Sequence, residues 1–287
     1  MPFASSRLTE GGASPPGRTP GPKPAGKEIG SVMRITTLGT SHGNPTYCRY
    51  NSSTLVETGG NLYLVDAGEP VMSQMIRAQK DFDRLKAVFV THMHNDHVGG
   101  LAGLIKMLIK YPREGNHADV FLPDPSGIPH LEAWVKAQYI EYPSPVVSLQ
   151  PTRPGSVYRD AAVAVEAQPT RHVLKPAGAP SFAYVVRAEG KVAVFTGDLK
   201  ADFSDFPPAA RDAPSDVCVC EATHFTPREG TTAEAMAVLQ RAPIRRLILS
   251  HIGDRWHGLD GEDELKRWLR KLPYPASIAC DGDVFDV

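Results

Sequence analysis

The sequence predicts an α/β chain with two strand-rich halves, each carrying helices. Three observations point there. Short β-branched and aromatic runs, such as Lys86-Ala87-Val88-Phe89-Val90 and Val192-Ala193-Val194-Phe195-Thr196, read as buried strands. Longer stretches, such as 101–110 with Leu101, Leu104, Ile105, Leu108 and Ile109, repeat apolar residues at helical spacing. Each half also holds a hairpin signal, Thr58-Gly59-Gly60-Asn61 in the first and Glu189-Gly190 in the second. No internal sequence repeat relates the two halves.

Residues 1–30 stand apart. They are rich in Pro and Gly, with little apolar surface to bury, and a disordered tail is expected; the folded domain is expected over 31–287. Strands are predicted at 34–38, 53–58 and 61–66, then a helix at 71–79 and the strand at 86–90. After the helix at 101–110 come a strand at 119–122 and a helix at 130–140, separated by Pro123, Pro125 and Pro129. The stretch 143–163 is irregular, with room for short strands. Strands at 182–187 and 191–195 form the second hairpin. Helices at 231–241 and 262–272 and strands at 246–250, 276–279 and 284–286 complete the chain. Cys218 and Cys220 alternate along an apolar run and fall on one strand face. No Cys-x-x-Cys pair occurs, so buried free thiols in a reducing cytoplasm are expected for the four cysteines.

Composition narrows the function classes. Apolar and charged contents of 41% and 22% are globular values, and a formal net charge of −1 gives no global attraction to nucleic acid or anionic membrane. No signal-peptide core and no run of eighteen apolar residues is present, so neither export nor a membrane span is expected.

Chemistry concentrates where the strand at 86–90 ends. Thr91-His92-Met93-His94-Asn95-Asp96-His97-Val98-Gly99-Gly100 places three His and one Asp within six residues. In extended chain His92 and His94 point to one side. Imidazole and carboxylate suit borderline divalent metals, and with further ligands from elsewhere the set exceeds what one tetrahedral ion needs. A merely solvated polar loop is the alternative, and the density of ligand residues argues against it.

His-x-His-x-Asp-His after a strand resembles the metallo-β-lactamase superfamily. The resemblance implies a four-layer αββα sandwich with two divalent metals at one rim, zinc first, with manganese or iron as alternatives. It also implies three more ligands at strand ends, met in order by His172, Asp198 of Gly197-Asp198, and His251. By resemblance His92, His94 and His172 form one site, Asp96, His97 and His251 the other, and Asp198 bridges them. Two cations so held lower the pKa of a shared water, the expected nucleophile, and offset developing oxyanion charge. Asp96 is the expected general base or proton shuttle, a purely metal-binding role being the alternative. Asp66 is a candidate to orient a ligand His, with turn capping as the alternative.

The resemblance narrows to the ribonuclease Z-like branch through Leu38-Gly39-Thr40-Ser41-His42-Gly43-Asn44-Pro45-Thr46, Asn51-Ser52-Ser53-Thr54, Cys220-Glu221-Ala222-Thr223 and Thr231-Thr232-Ala233. Three departures count against tRNA as the substrate. Cys220 and Gly230 stand where that branch has His, and only 26 positions separate His172 from Asp198, too few for its tRNA-gripping arm. The expectation is therefore a hydrolase of small or cyclic phosphodiesters. A tRNA 3′-endoribonuclease, a carboxyl or sulfate ester hydrolase and a ligand-sensing protein on the same fold are the alternatives. A homodimer stays open. His42, His224 and His257 are weaker pocket candidates, His117 and His130 carry no signal, and Lys175, Lys200 and Arg255 could meet a phosphate.

Overall fold

Alternation along each strand decides the layers. In the computed structural model, which describes residues 32–112, 115–172, 178–223, 232–253 and 259–287, the strand β3 (Asn61–Val65) shows the rule. Its Leu62 and Leu64 face a helical layer, while Tyr63 and Val65 face the opposing sheet. A sheet buried on both faces must carry apolar residues on both, and that is why these strands read as near-continuous apolar runs.

The first sheet contains β1 (Arg34–Gly39), β2 (Ser53–Thr58), β3, β4 (Leu85–Phe89), β5 (Ala118–Leu122) and β6 (Val147–Pro151) in that order. The second contains β7 (Gly155–Arg159), β8 (Ala164–Thr170), β9 (Ser181–Ala188), β10 (Lys191–Phe195), β11 (Val217–Glu221), β12 (Leu247–Ser250) and β13 (Ala276–Ile278). In both, antiparallel pairings come first and parallel ones follow, from β3 onward and from β10 onward. The strand β14 (Val284–Asp286) crosses back to pair with β1 and covers that edge.

Between the sheets lies one apolar layer, with Phe89, Phe121, Tyr184, Phe195 and Ile248 among its members. The helices α1 (Val71–Arg77), α3 (Leu101–Lys110) and α4 (Gly127–Ala137) cover the first sheet through Val71, Met75, Leu104, Ile105, Leu108 and Val135. The second is covered by α5 (Pro208–Arg211), α6 (Thr232–Arg241) and α7 (Leu259–Leu269), with Ala210, Met236, Leu239, Leu265 and Leu269 facing inward. A short α2 (Asn95–Val98) sits at the rim. This is the expected αββα sandwich.

Some expectations shift. The helix predicted at 130–140 begins at Gly127, with Pro129 in its first turn, where a missing N–H costs nothing. The predicted 262–272 helix is found three residues earlier, at Leu259–Leu269. The irregular stretch 143–163 carries β6 and β7. Helix α1 stops short because Gln79 turns left-handed, φ 54°, and Lys80 N–H reaches back to the Met75 carbonyl at 2.9 Å. Cysteine burial is half corrected: all four thiols are free, but Cys48 and Cys280 are exposed, since both sit in loops rather than strands. The predicted tail at 1–30 lies outside the described residues.

Candidate metal centre

Four strand ends converge on one rim. The chain leaves β4 and delivers His92 and His94, and the short α2 then presents Asp96 and His97. His172 follows β8, Asp198 follows β10 and His251 follows β12. Their approach is close. A Cβ on Gly197, which has φ +57°, would lie 2.8 Å from Thr91 Cβ, and one on Gly68 would lie 2.2 Å from the Asp96 carbonyl oxygen. Only glycine lets those loops touch. Asp66 and His251 are also left-handed, with φ of 60° and 52°, a conformation held by surrounding contacts.

All seven predicted residues come together in two groups, His92, His94, His172 and Asp198, and Asp96, His97 and His251. In the first, His92 Nε2 and His94 Nδ1 are 2.9 Å apart, and His172 Nε2 lies 3.4 Å from His94 Nδ1. Asp198 Oδ2 lies 3.4 Å from His172 Nε2 and 3.7 Å from His92 Nε2. In the second, Asp96 Oδ2 lies 3.2 Å from His97 Nε2 and 3.1 Å from His251 Nε2, and those nitrogens are 3.2 Å apart. Asp198 Oδ1 completes it, 3.3 Å from His251 Nε2 and 3.5 Å from His97 Nε2. One carboxylate thus faces both groups, an oxygen to each.

The donor set fits divalent metal ions. Ligand atoms about 2.0–2.1 Å from a tetrahedral zinc stand roughly 3.3 Å from one another, the spacing seen here. Asp198 Oδ1 is buried without a hydrogen-bond donor despite its nearby imidazoles, which leaves a negative oxygen for a cation to satisfy.

Polar neighbours behind the rings aim them. His97 Nδ1–H donates to Asp66 Oδ2 at 2.8 Å, and Asp66 also accepts from Thr91 N at 2.7 Å and Thr91 Oγ1 at 3.0 Å. Thr91 Oγ1 in turn accepts from His92 Nδ1–H at 3.1 Å. Thr223 Oγ1 accepts from His251 Nδ1–H at 2.6 Å while donating to the His251 carbonyl at 2.8 Å. With Nδ1 engaged behind each ring, Nε2 faces the centre as the atom a metal would take. Asp66 was anticipated. Thr91 and Thr223 were not, because a single hydroxyl carries no spacing signal.

Electrostatics agree with a cation-seeking site. Burial pushes the Asp96 carboxyl up, but hydrogen bonds from His251 and His97 overcome it and hold it well below the usual range. Burial also opposes ionisation of Asp198, and the charges of His251, His97, His92 and His172 outweigh it. Burial drives the His92 imidazole well down, whereas the Asp66 and Asp198 carboxylates outweigh burial and raise His97 well up. Protons and metal ions compete for such a cluster, so binding a metal releases protons.

Weaker candidates fall elsewhere. The His42 ring lies 6.4 Å from that of His251, at the margin of the site. His117 pairs with Asp119 and the Pro145 carbonyl, and His130 lies on α4. Cys220 packs into the apolar layer beneath the helices, so the residue standing where a His was expected faces away from the rim. The Glu221 carboxylate is buried and accepts from Leu199 N at 3.2 Å. His224, His257, Lys175, Arg255, Gly230 and Thr231 lie outside the described residues.

Comparison with known proteins decides the family: the beta-lactamase superfamily domain matches residues 61–252. The chain belongs to the metallo-β-lactamase superfamily. Within that superfamily it resembles ribonuclease Z. The enzyme of that name from Haloferax volcanii is 31% identical, with 89% of this chain and 95% of that protein aligned. Ribonuclease Z of Methanocaldococcus jannaschii is 28% identical over 54% of this chain, and there the chain spans about half the relative, 48%. The metallo-β-lactamase fold protein YhfI from Bacillus subtilis shares the architecture, with a TM-score of 0.70 at 19% identity over 90% of this chain and all of that one. The rim carries the donor groups of a divalent-metal site in that fold.

Proposed function

We propose that this metallo-β-lactamase-fold hydrolase cleaves phosphodiester bonds of RNA, in the manner of ribonuclease Z. The observation that carries the reading is the complete double ligand group on a chain aligned over 89% of its length with an enzyme of that name. That similarity outweighs the sequence expectation against tRNA.

His92, His94, His172 and Asp198 would hold one divalent ion, and Asp96, His97, His251 and Asp198 the other. The imidazole-rich donor set favours zinc, with manganese or iron(II) as alternatives. Bound there, such ions lower the pKa of water toward neutrality and offset oxyanion charge. The chain's own part is positional. Asp66, Thr91 and Thr223 would hold three rings with Nε2 toward the ions, and Asp96, with one carboxylate oxygen on them, would be placed to accept a proton from the attacking water on the other. Four free cysteines accord with a cytoplasmic, reducing setting. No helix among the described residues is long and apolar enough to cross a membrane.

A second reading, hydrolysis of small phosphodiesters, is favoured by one observation. The Haloferax alignment runs over 310 positions, more than the 287 residues of this chain, so the relative has segments that this chain lacks. The short interval from His172 to Asp198 is one place for such a difference. A side-by-side assay of a tRNA precursor with a 3′ trailer, 3′,5′-cyclic AMP and bis-p-nitrophenyl phosphate tests both. Site-specific trailer removal is expected. Turnover of the small diesters alone would replace it with the second reading, and turnover only of carboxyl or sulfate esters would discard phosphodiesters altogether.

A further inference from the structure

Next to the metal ligands in the chain lies an open cleft of about 510 Å³, lined by Pro154, Pro169, Arg171, Pro180, Phe182 and Lys200 among others. Its size is that of a small-ligand site. Arg171 immediately precedes the ligand His172, so their Cα atoms are about 3.8 Å apart, and Lys200 lies two residues beyond Asp198, within roughly 7 Å. Loop cations are usually just solvated, but these two are placed. The carboxylate of Asp205, only 8% exposed, accepts from Arg171 N at 2.6 Å with Oδ2 and from Lys200 N at 3.0 Å with Oδ1. One buried carboxylate therefore ties together the two loops that carry His172 and Asp198, and fixes the backbones of both cations. The Arg171 guanidinium rests on the Ser204 carbonyl and hydroxyl at 3.4 and 3.5 Å. Among the described residues no carboxylate pairs with either side chain within salt-bridge distance. The nearby Asp202 carboxylate accepts from Ser204 N at 2.9 Å and meets the Lys200 charge only beyond salt-bridge distance.

We propose that this cleft is a subsite for the phosphate adjoining the scissile one, with Arg171 and Lys200 as its cations, the prolines as an apolar wall for the sugar or base, and Asp205 as the residue that positions both loops. Two cations with no carboxylate within salt-bridge distance among the described residues, next to a centre that would act on a phosphodiester, fit the next phosphate of the same strand. The inference rests on the phosphodiester reading above and names the substrate feature that the centre itself leaves unread.

Binding tests it apart from turnover. Adenosine 3′,5′-bisphosphate has one phosphate for the centre, one for the cleft and no diester to cleave. Titration calorimetry on the metal-loaded protein would compare it with inorganic phosphate. The Arg171→Ala/Lys200→Ala double variant should bind the bisphosphate at least 10-fold more weakly, with a much smaller change for inorganic phosphate, and its affinity should depend less on ionic strength. The Arg171→Lys/Lys200→Arg variant should restore most of the affinity. Asp205→Asn, which keeps the shape but cannot accept from both N–H groups, should weaken the bisphosphate with metal content retained. Bisphosphate affinity within twofold of wild type in the double variant would overturn the proposal. So would equal losses for bisphosphate and inorganic phosphate, which would leave a free-phosphate site only. A protein that cleaves no diester yet shows the binding pattern would sink the function and keep the subsite.

Discussion

Asp66 shows how much one residue can set. Its carboxylate takes three hydrogen bonds, from Thr91 N, Thr91 Oγ1 and His97 Nδ1, in a left-handed backbone that Asx residues tolerate better than most. Asn keeps that tolerance and the shape but turns an amide donor toward groups that also donate. Asp66→Asn should therefore let the His97 ring turn and weaken the metal group of Asp96, His97 and His251, by about 10–100-fold in affinity. Competition with a chelator, read by metal mass spectrometry, checks it: one ion should be lost early and one kept. Loss of both together, or of neither, would show that Asp66 does not orient His97. The neighbouring Thr91 and Thr223 do similar work without any sign in the sequence, because a hydroxyl is informative only once its partner is in place.

At the scale of elements, strands were legible and helix ends were not. The strand β2 at Ser53–Thr58 matches its prediction, since it is buried almost from end to end and both faces must be covered. Helix ends depend on weaker local choices. Helix α4 ends at Ala137 and is followed by Tyr139 at φ 60°, the position where glycine normally stands, with its side chain 99% exposed. A non-glycine residue there costs about 1–2 kcal/mol. Tyr139→Gly should recover about 1 kcal/mol and raise the melting temperature by roughly 2 °C. A lower melting temperature in a reversible thermal scan would mean that the tyrosine contributes more than its backbone costs.

At the scale of the molecule, the two sheets are joined by more than the apolar layer between them. Asp160, beside β7, accepts from Tyr63 Oη on β3 at 2.6 Å and from Tyr158 Oη on β7 at 3.1 Å, besides Ala162 N and Val163 N at 2.8 Å each. Burial pushes this carboxyl up, but the Tyr63 bond, the two backbone bonds and the Tyr158 bond together hold it below its ordinary value. A depressed carboxyl stabilises the fold above the unfolded-state value of about 3.9, and that contribution fades as pH falls through the lower folded value. Asp160→Asn should thus cost about 1 kcal/mol at pH 7 and progressively less below pH 4. Urea unfolding of both proteins at pH 7 and pH 3 checks the sign. A difference that grows at pH 3 would place the effect elsewhere.

By itself the sequence determined the two strand-rich halves and the ligand cluster His92 to His97. Both are written in short-range pattern: burial on two sheet faces enforces apolar runs, and the cluster is dense within six residues. His172, Asp198 and His251 came only through the family resemblance that this cluster carries. What it left open depends on residues distant in the chain. Thr223 finds His251 across 28 positions, Asp205 joins the loops of His172 and Asp198, and Cys220 turns toward the helices, not the rim. Only the tertiary structure decides such matters, because a hydrogen-bond partner or a face is a property of two chain segments brought together, and no spacing within either segment encodes it.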